Sequence, residues 1–537
     1  MTLGSASAYW TADRSTELVD LTVGELLAER AGGDPQRTAL VGTRHGGITP
    51  VRLTYGELFV EACRVATALG RLTDRGSHIA LWAPNVVEWP IIQYGAALAG
   101  MVLVALNPVL PEDDLQYAVA HSGSTILLHA DANRDYPMAE IAARVAGTIP
   151  GLRCISLSDH TVWCADVPDP AVLDDGVGDA DEIAMLQYTS GTTGRPKGVA
   201  LRHRSLVNVA KLTVEAAGLP DRPVCLNPLP MFHTAGCVIG TLGPLWAGGT
   251  IILVDRFAPA PVLAAMREEA VQVLFYVPAV LSALVDHQRA SDLTAPRLEV
   301  IMGGASPVDP RLIDDASDLF GADVYNLYGQ TELAPVLSLT RPTDGMEDRR
   351  HTVGRPLPQV DCKVTDPATG QVVATGEVGE LCARGYQQFV HYLHDPEATA
   401  AAVDLDGFVH TGDLGAMDDR GYLTISGRLK ELIIRGGENI SPAHVERILS
   451  EHDSVLDVVV VGLPDDRLGE IVAAVLKLAN HDHVLKQDLL EHAQSRLARY
   501  QVPARWYVTD QFPVTPTGKV QRFAVREAIV QGRISEL

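Results

Sequence analysis

Residues 188–200 read Tyr-Thr-Ser-Gly-Thr-Thr-Gly-Arg-Pro-Lys-Gly-Val-Ala, following an apolar run at 183–186 that has the look of a buried strand. Four hydroxyl side chains (Thr189, Ser190, Thr192, Thr193), three glycines (Gly191, Gly194, Gly198) and Lys197 fall within ten positions. Glycines let backbone N–H groups turn towards an anion at close range; hydroxyls add donors, and the lysine adds a point charge. The chemistry that uses this combination is phosphate binding. The loop is not a Walker P-loop, because Gly198 follows Lys197 and no Gly-Lys-Ser/Thr occurs anywhere in the chain.

Further clusters follow in order. Pro228-Leu-Pro-Met-Phe-His233 leads into Thr234, and Gly303-Gly304-Ala305 follows a strand-like run at 298–302. Then come Tyr325-Asn-Leu-Tyr-Gly-Gln-Thr-Glu332, His410-Thr-Gly-Asp413, Gly427-Arg-Leu-Lys-Glu431, Arg435-Gly-Gly-Glu-Asn-Ile-Ser-Pro442 and Pro516-Thr-Gly-Lys519. Taken singly, each reads as an ordinary turn or strand end. A histidine beside apolar residues is usually a satisfied core side chain, and a lysine on a turn is usually solvated.

Together, in this order and at these distances, they resemble the adenylate-forming enzymes: acyl-CoA synthetases, peptide-synthetase adenylation domains and firefly luciferase. The loop at 188–198 matches that family's [YF]-T-S-G-T-T-G-x-P-K-G throughout, and the resemblance covers nearly the whole chain. It implies that Thr189, Ser190, Gly191, Thr192, Thr193, Gly194 and Lys197 bind ATP phosphates. Gly304, Ala305, Asn326, Tyr328 and Gly329 would frame the adenine, Thr331 would approach the α-phosphate, and Glu332 would hold Mg²⁺. Asp413 would accept from the ribose hydroxyls, with Arg428 as a second ribose or phosphate contact. His233, Thr234, Gly303 and Gly304 would line the acyl site, and Gly436 and Gly437 the pantetheine channel of coenzyme A. Lys430 would be the interdomain pivot, and Lys519 would reach the reacting phosphate during adenylation.

These groups suit the reaction that the resemblance implies. A carboxylic acid is already ionised at neutral pH, so its attack on the α-phosphorus of ATP needs positioning and charge rather than a general base. Donors, lysines and a metal carboxylate supply both. In the second step a thiol displaces AMP from the acyl carbonyl; a pivot about Lys430 would exchange the Lys519 face for the Gly436–Gly437 face, letting one site serve both steps.

The expected fold is α/β: a large N-terminal domain, 1–429, with mixed and parallel sheets, and a small mobile α+β domain, 430–537. Candidate strands at 78–82, 101–106, 125–129, 251–254, 271–277 and 324–327 alternate with helical spacing at 55–69 and 260–269. A second rhythm follows residue 430: a helix opened by Ser441-Pro442, strands at 456–461 and 471–478, and a helix at 486–497. The apolar stretch 91–110 divides into a buried helix and a strand rather than spanning a membrane.

The 537 residues carry 47% hydrophobic side chains and a formal charge of −24, so a nucleic-acid partner is not expected. Seven scattered cysteines without Cys-x-x-Cys spacing give neither a disulfide framework nor a zinc motif. With no apolar run in the first twenty residues, a cytoplasmic location is expected. The segments 234–239, 275–280, 303–307 and 329–335 contain no cation, so a hydrophobic acid is expected. The paired glycines 303 and 304 suggest room for a medium or long aliphatic chain. No acid follows Phe232, where amino-acid-activating relatives carry an aspartate. A stand-alone adenylation enzyme loading an aryl or aliphatic acid onto a carrier protein's phosphopantetheine is the alternative. A carrier protein and a second copy of the chain are the macromolecular partners to consider.

Overall fold

The computed structural model describes residues 7–159, 178–189, 195–479, 486–514 and 520–537. The chain divides into two units: Trp10–Cys362 with Ala383–Val409, and Met1–Tyr9 with Lys363–Cys382 and His410–Leu537.

Two sheets build the larger unit. In one, six parallel strands run in the order Asp323–Tyr328, Val300–Gly304, Val273–Tyr276, Val224–Asn227, Thr250–Leu253 and Thr38–Thr43. Antiparallel strands close both edges: Pro50–Thr54 at one, Ser338–Leu339 and Arg355–Pro356 at the other. The second sheet sets Arg153–Ser156, Ile126–His129, His78–Trp82, Val102–Leu106 and Ile183–Thr189 parallel, then adds Lys197–Arg202 antiparallel. Continuous apolar runs such as Val102–Leu106, buried at every position, are what a parallel strand covered on both faces requires.

Helices cover these sheets. Tyr55–Leu72 starts at Thr54, whose side chain accepts from the Glu57 N–H while Glu57 returns the bond to the Thr54 N–H. Glu88–Leu98 is buried along its whole length, and Glu88 is satisfied there by the His45 N–H at 3.0 Å and Arg44 at 3.6 Å. This accounts for the stretch at 91–110: a core helix, then a core strand. No helix among the described residues is long and apolar enough to cross a membrane.

The smaller unit is α+β. One of its sheets orders Glu438–Ile440, Ile433–Arg435, Gly469–Leu478, Arg505–Val508 and Ser535–Glu536, with Val455–Asp465 also paired to Gly469–Leu478. Alternating side chains build a core on each face, one around Trp506 and Leu476, the other around Tyr507 and Val525. Ser441 caps Pro442–Ser450 by accepting from the His444 N–H, as the Ser-Pro pair predicts. Arg522 ties three elements together: it donates to Glu431 at 3.0 Å, Glu446 at 2.8 Å and the Val460 carbonyl at 3.0 Å. The turn carrying Lys430 is thereby coupled to the C-terminal helix Arg522–Val530.

Candidate active site

In the larger unit the phosphate loop joins two antiparallel strands, with Thr189 paired to Lys197 at its neck. Ser190, Gly191, Thr192, Thr193 and Gly194 lie outside the described residues, but the groups gripping the loop's ends are visible. Tyr188 shares a hydrogen bond of 2.9 Å with His121 and donates to the Ala118 carbonyl at 3.1 Å. Tyr117 donates to the Pro196 carbonyl at 3.2 Å, and the Arg195 guanidinium stacks 4.9 Å from the Tyr117 ring. Helix Glu112–Ser122 therefore holds both sides of the neck.

Lys197 and Glu332 are brought into one cluster by a residue that no motif announced. Tyr392 places its ring 4.7 Å from the Lys197 ammonium and donates its hydroxyl to Glu332 Oε1 at 2.8 Å. Burial, with the Glu332 charge behind it, raises the Tyr392 pKa, so the hydroxyl stays a donor. Asp395 lies 3.8 Å from Lys197. Segment 389–393 is laid along the loop's second strand by main-chain bonds from Val390 to Ala200, Ala200 to His391 and Leu393 to Gly198. A cleft of about 380 Å³ beside the cluster is lined by His391, Tyr392, His394, Asp395, Pro396, Thr399 and Ala400. Nothing in the spelling of 386–395 marks Tyr392 or Asp395; only strand pairing delivers them.

Glu332 stands in a short turn, Thr331–Leu333, just after the strand Asp323–Tyr328, with Thr331 buried beside it. Tyr392 holds one carboxylate oxygen, and the other has no hydrogen-bond partner among the described residues. A half-buried carboxylate fixed in this way fits a hard cation that keeps most of its waters.

The adenine candidates are less alike than their motif suggests. Asn326 is buried, accepting from the Tyr276 hydroxyl at 2.8 Å and donating to the Arg349 carbonyl at 2.9 Å. Its amide braces the sheet, leaving its neighbours Tyr328 and Gly329, both partly exposed, at the strand's end. Ala305 is exposed with φ of 71°, a left-handed conformation that a non-glycine residue holds only under strain.

The glycines have a different reason from the one expected. A Cβ on Gly303 would overlap the Tyr276 carbonyl, and one on Gly304 the Leu327 carbonyl. Both are demanded by neighbouring strands, so the pair does not measure pocket width. Gly303→Ala should destabilise the larger unit by ~1–3 kcal/mol, the range for overpacking; thermal unfolding without any acyl ligand checks this, and an unchanged midpoint would restore the pocket reading.

His233 lies partly exposed, accepting at Nδ1 from the Ala235 N–H at 3.1 Å, and leads into a single π-helical turn, Ala235–Ile239. Such turns are found mostly where function requires an irregular backbone. Thr234 is fully buried, and its hydroxyl has no protein partner among the described residues. Met231, Cys237, Val238 and Ile239, near it in sequence, are buried and apolar.

In the smaller unit Asp413 and Arg428 face each other across the hairpin Val409–Met417 and Leu423–Arg428, with Nε to Oδ1 at 2.9 Å. Asp413 is buried, and its N–H donates to Thr411 Oγ1 at 3.1 Å. A cleft of about 210 Å³ here is lined by Thr411, Gly412, Arg428, Leu429 and Lys430. Glu380, which the sequence did not single out, accepts from the Gly412 N–H at 2.9 Å and pairs with His410 at 2.8 Å. Its neighbours Cys382 and then Glu380 raise the His410 pKa to about 10. Gly436 and Gly437 form the two-residue turn between Ile433–Arg435 and Glu438–Ile440, with φ of 61° and 92°. That backbone is the tight hairpin turn that favours glycine. Both are exposed. Lys519 lies outside the described residues, flanked by Val514 and Val520, which pair with each other.

Comparison with known proteins decides the family. The AMP-binding enzyme family matches residues 27–393, and the AMP-binding enzyme C-terminal domain matches 444–519. The chain belongs to the AMP-binding enzyme family. This member is 35% identical to the putative acyl-CoA synthetase YngI of Bacillus subtilis, over 96% of the chain and 98% of that protein. It is 31% identical to the mitochondrial medium-chain acyl-CoA ligase ACSF2 of Rattus norvegicus, over 98% and 90%. ATP-bound MatB from Rhodopseudomonas palustris superposes with a TM-score of 0.83 at 28% identity, over 95% and 99%. The o-succinylbenzoate CoA synthetase MenE of Bacillus subtilis, with its acyl-adenylate, gives 0.81 at 27% identity, over 95% and 99%. This AMP-binding enzyme is an AMP-forming acid–thiol ligase of the acyl-CoA synthetase kind, and the α/β fold with its smaller C-terminal domain is that of its relatives.

Proposed function

We propose that the enzyme activates a medium-chain fatty acid with ATP and passes the acyl group to coenzyme A. The observation that carries the acid's character is the segment following His233, where the π-helical turn Ala235–Ile239 buries Cys237, Val238 and Ile239 and carries no cationic side chain of its own. Chain length rests on the medium-chain ligase to which the chain is 31% identical. In this reading Thr189 and Lys197 meet the ATP phosphates together with Ser190, Thr192 and Thr193. Glu332 would hold Mg²⁺, which when bound neutralises phosphate charge. Asp413 accepts from the ribose hydroxyls while Arg428 fixes its orientation, and Lys519 meets the charge that develops at the α-phosphate.

A panel of straight-chain acids, read for AMP and thioester together, tests the proposal. Highest kcat/KM should fall on medium chains, and a maximum on dicarboxylic or amino acids would reject it. With the best acid, coenzyme A should outcompete a holo carrier protein; acylation of the carrier alone would make the enzyme a carrier-loading ligase.

The hairpin at Gly437 is assigned to the thiol step. No atom lies within 4 Å of a Cβ added there, so a larger side chain meets backbone strain but no internal clash. Gly437→Asn, whose side chain tolerates a left-handed backbone, should keep both half-reactions. Gly437→Leu should keep pyrophosphate exchange while coenzyme A turnover falls about tenfold or more and acyl-adenylate accumulates. Equal loss in both variants would point to hairpin geometry rather than channel blockage.

A further inference from the structure

Among the described residues, one group of metal-ligating side chains has no part in the roles assigned above: Glu380, Cys382 and His410, whose ligand atoms all lie within 4.8 Å of one another. Glu380 and Cys382 are two apart on Gly379–Gly385 and so share a face of that strand, with His410 near the start of Val409–Met417. Glu380 and Cys382 are buried, whereas the His410 side chain is 29% exposed, which leaves a way in.

We propose that Glu380, Cys382 and His410 bind a thiophilic divalent cation of the zinc class, and that its binding inhibits the enzyme. Thiolate, imidazole and carboxylate are the donors that zinc accepts, whereas Mg²⁺ takes oxygen ligands and would stay with Glu332. The spacing is close to what is needed. His410 Nδ1 lies 3.5 Å from Cys382 Sγ, and tetrahedral zinc with Zn–N of ~2.0 Å and Zn–S of ~2.3 Å holds such ligands ~3.5 Å apart. Nδ1 lies 2.8 Å from Glu380 Oε2, a separation that must open by about half an ångström once the proton between them is displaced. Coordination releases the thiol proton to solvent, and the proton of the His410–Glu380 hydrogen bond leaves Nδ1, to solvent from an imidazolium or to Nε2 from a neutral ring, with no change of oxidation state. Three protein ligands leave a fourth position to water.

Inhibition follows from the other oxygen of Glu380, which holds the Gly412 N–H next to Asp413. Drawing Glu380 into coordination pulls on the turn that carries Asp413; this part rests on reading Asp413 as the ribose acceptor.

The test adds Co²⁺ to the full-length, Mg²⁺-loaded enzyme. One equivalent should produce a sulfur-to-cobalt charge-transfer band, and Cys382→Ser should lose the band and bind cobalt at least about tenfold more weakly while retaining pyrophosphate exchange. No band, or a band that survives in Cys382→Ser, overturns the site. In a separate arm Zn²⁺ should raise KM for ATP at least about fivefold in the wild type and leave Cys382→Ser unaffected. A cobalt band with equal zinc inhibition in both proteins keeps the site and overturns the inhibitory link through Asp413.

Discussion

Lys519→Ala should slow acid-dependent pyrophosphate exchange by ~10²–10³, the usual consequence of removing one donor that acts chiefly on transition-state charge. The same variant should form thioester from supplied acyl-adenylate at close to the wild-type rate, because that step develops its charge at a carbonyl after pyrophosphate has gone. The flanks of the lysine's segment are tied together by the Val514–Val520 pairing and by the Gln521 N–H bond to the Pro513 carbonyl. An unchanged unfolding midpoint is the control. Equal slowing of both half-reactions would contradict a lysine confined to adenylation, and with it the proposed exchange of faces about Lys430.

The elements that position these residues were legible wherever burial is two-sided. Runs such as 102–106 and 126–128 are apolar without interruption, and each became a central parallel strand within a residue or so of its expected limits. Ser441-Pro442 announced a helix start because capping is local chemistry. Partnerships across the sheet left no such trace. Tyr392 meets Lys197 and Glu332 only because 389–393 pairs with the strand after the phosphate loop, and Glu380 meets Gly412 across thirty-two residues. The glycines misled for a related reason. Gly303 looked like space for a ligand, but a neighbouring strand's carbonyl occupies the place of its Cβ, and that neighbour is invisible in a linear reading.

Glu332→Ala should lower adenylation by ~10²–10³ and raise the Mg²⁺ concentration needed for half-maximal exchange, since the one carboxylate proposed for the metal is gone. The expectation for Tyr392→Phe separates this role from mere packing. Removing the hydroxyl frees Glu332 Oε1 from its 2.8 Å bond but keeps the carboxylate and the ring beside Lys197. A hydrogen bond to a charged group contributes ~1.5–3 kcal/mol, and a partly exposed carboxylate regains some of that from water, so a loss of about tenfold is expected. Measured against Mg²⁺ concentration, Tyr392→Phe should shift the midpoint only slightly, whereas Glu332→Ala should shift it strongly. If the two variants instead lose rate equally with the same Mg²⁺ midpoint as the wild type, Glu332 acts by holding Tyr392 and segment 389–393 in place, and the metal must be held by other groups.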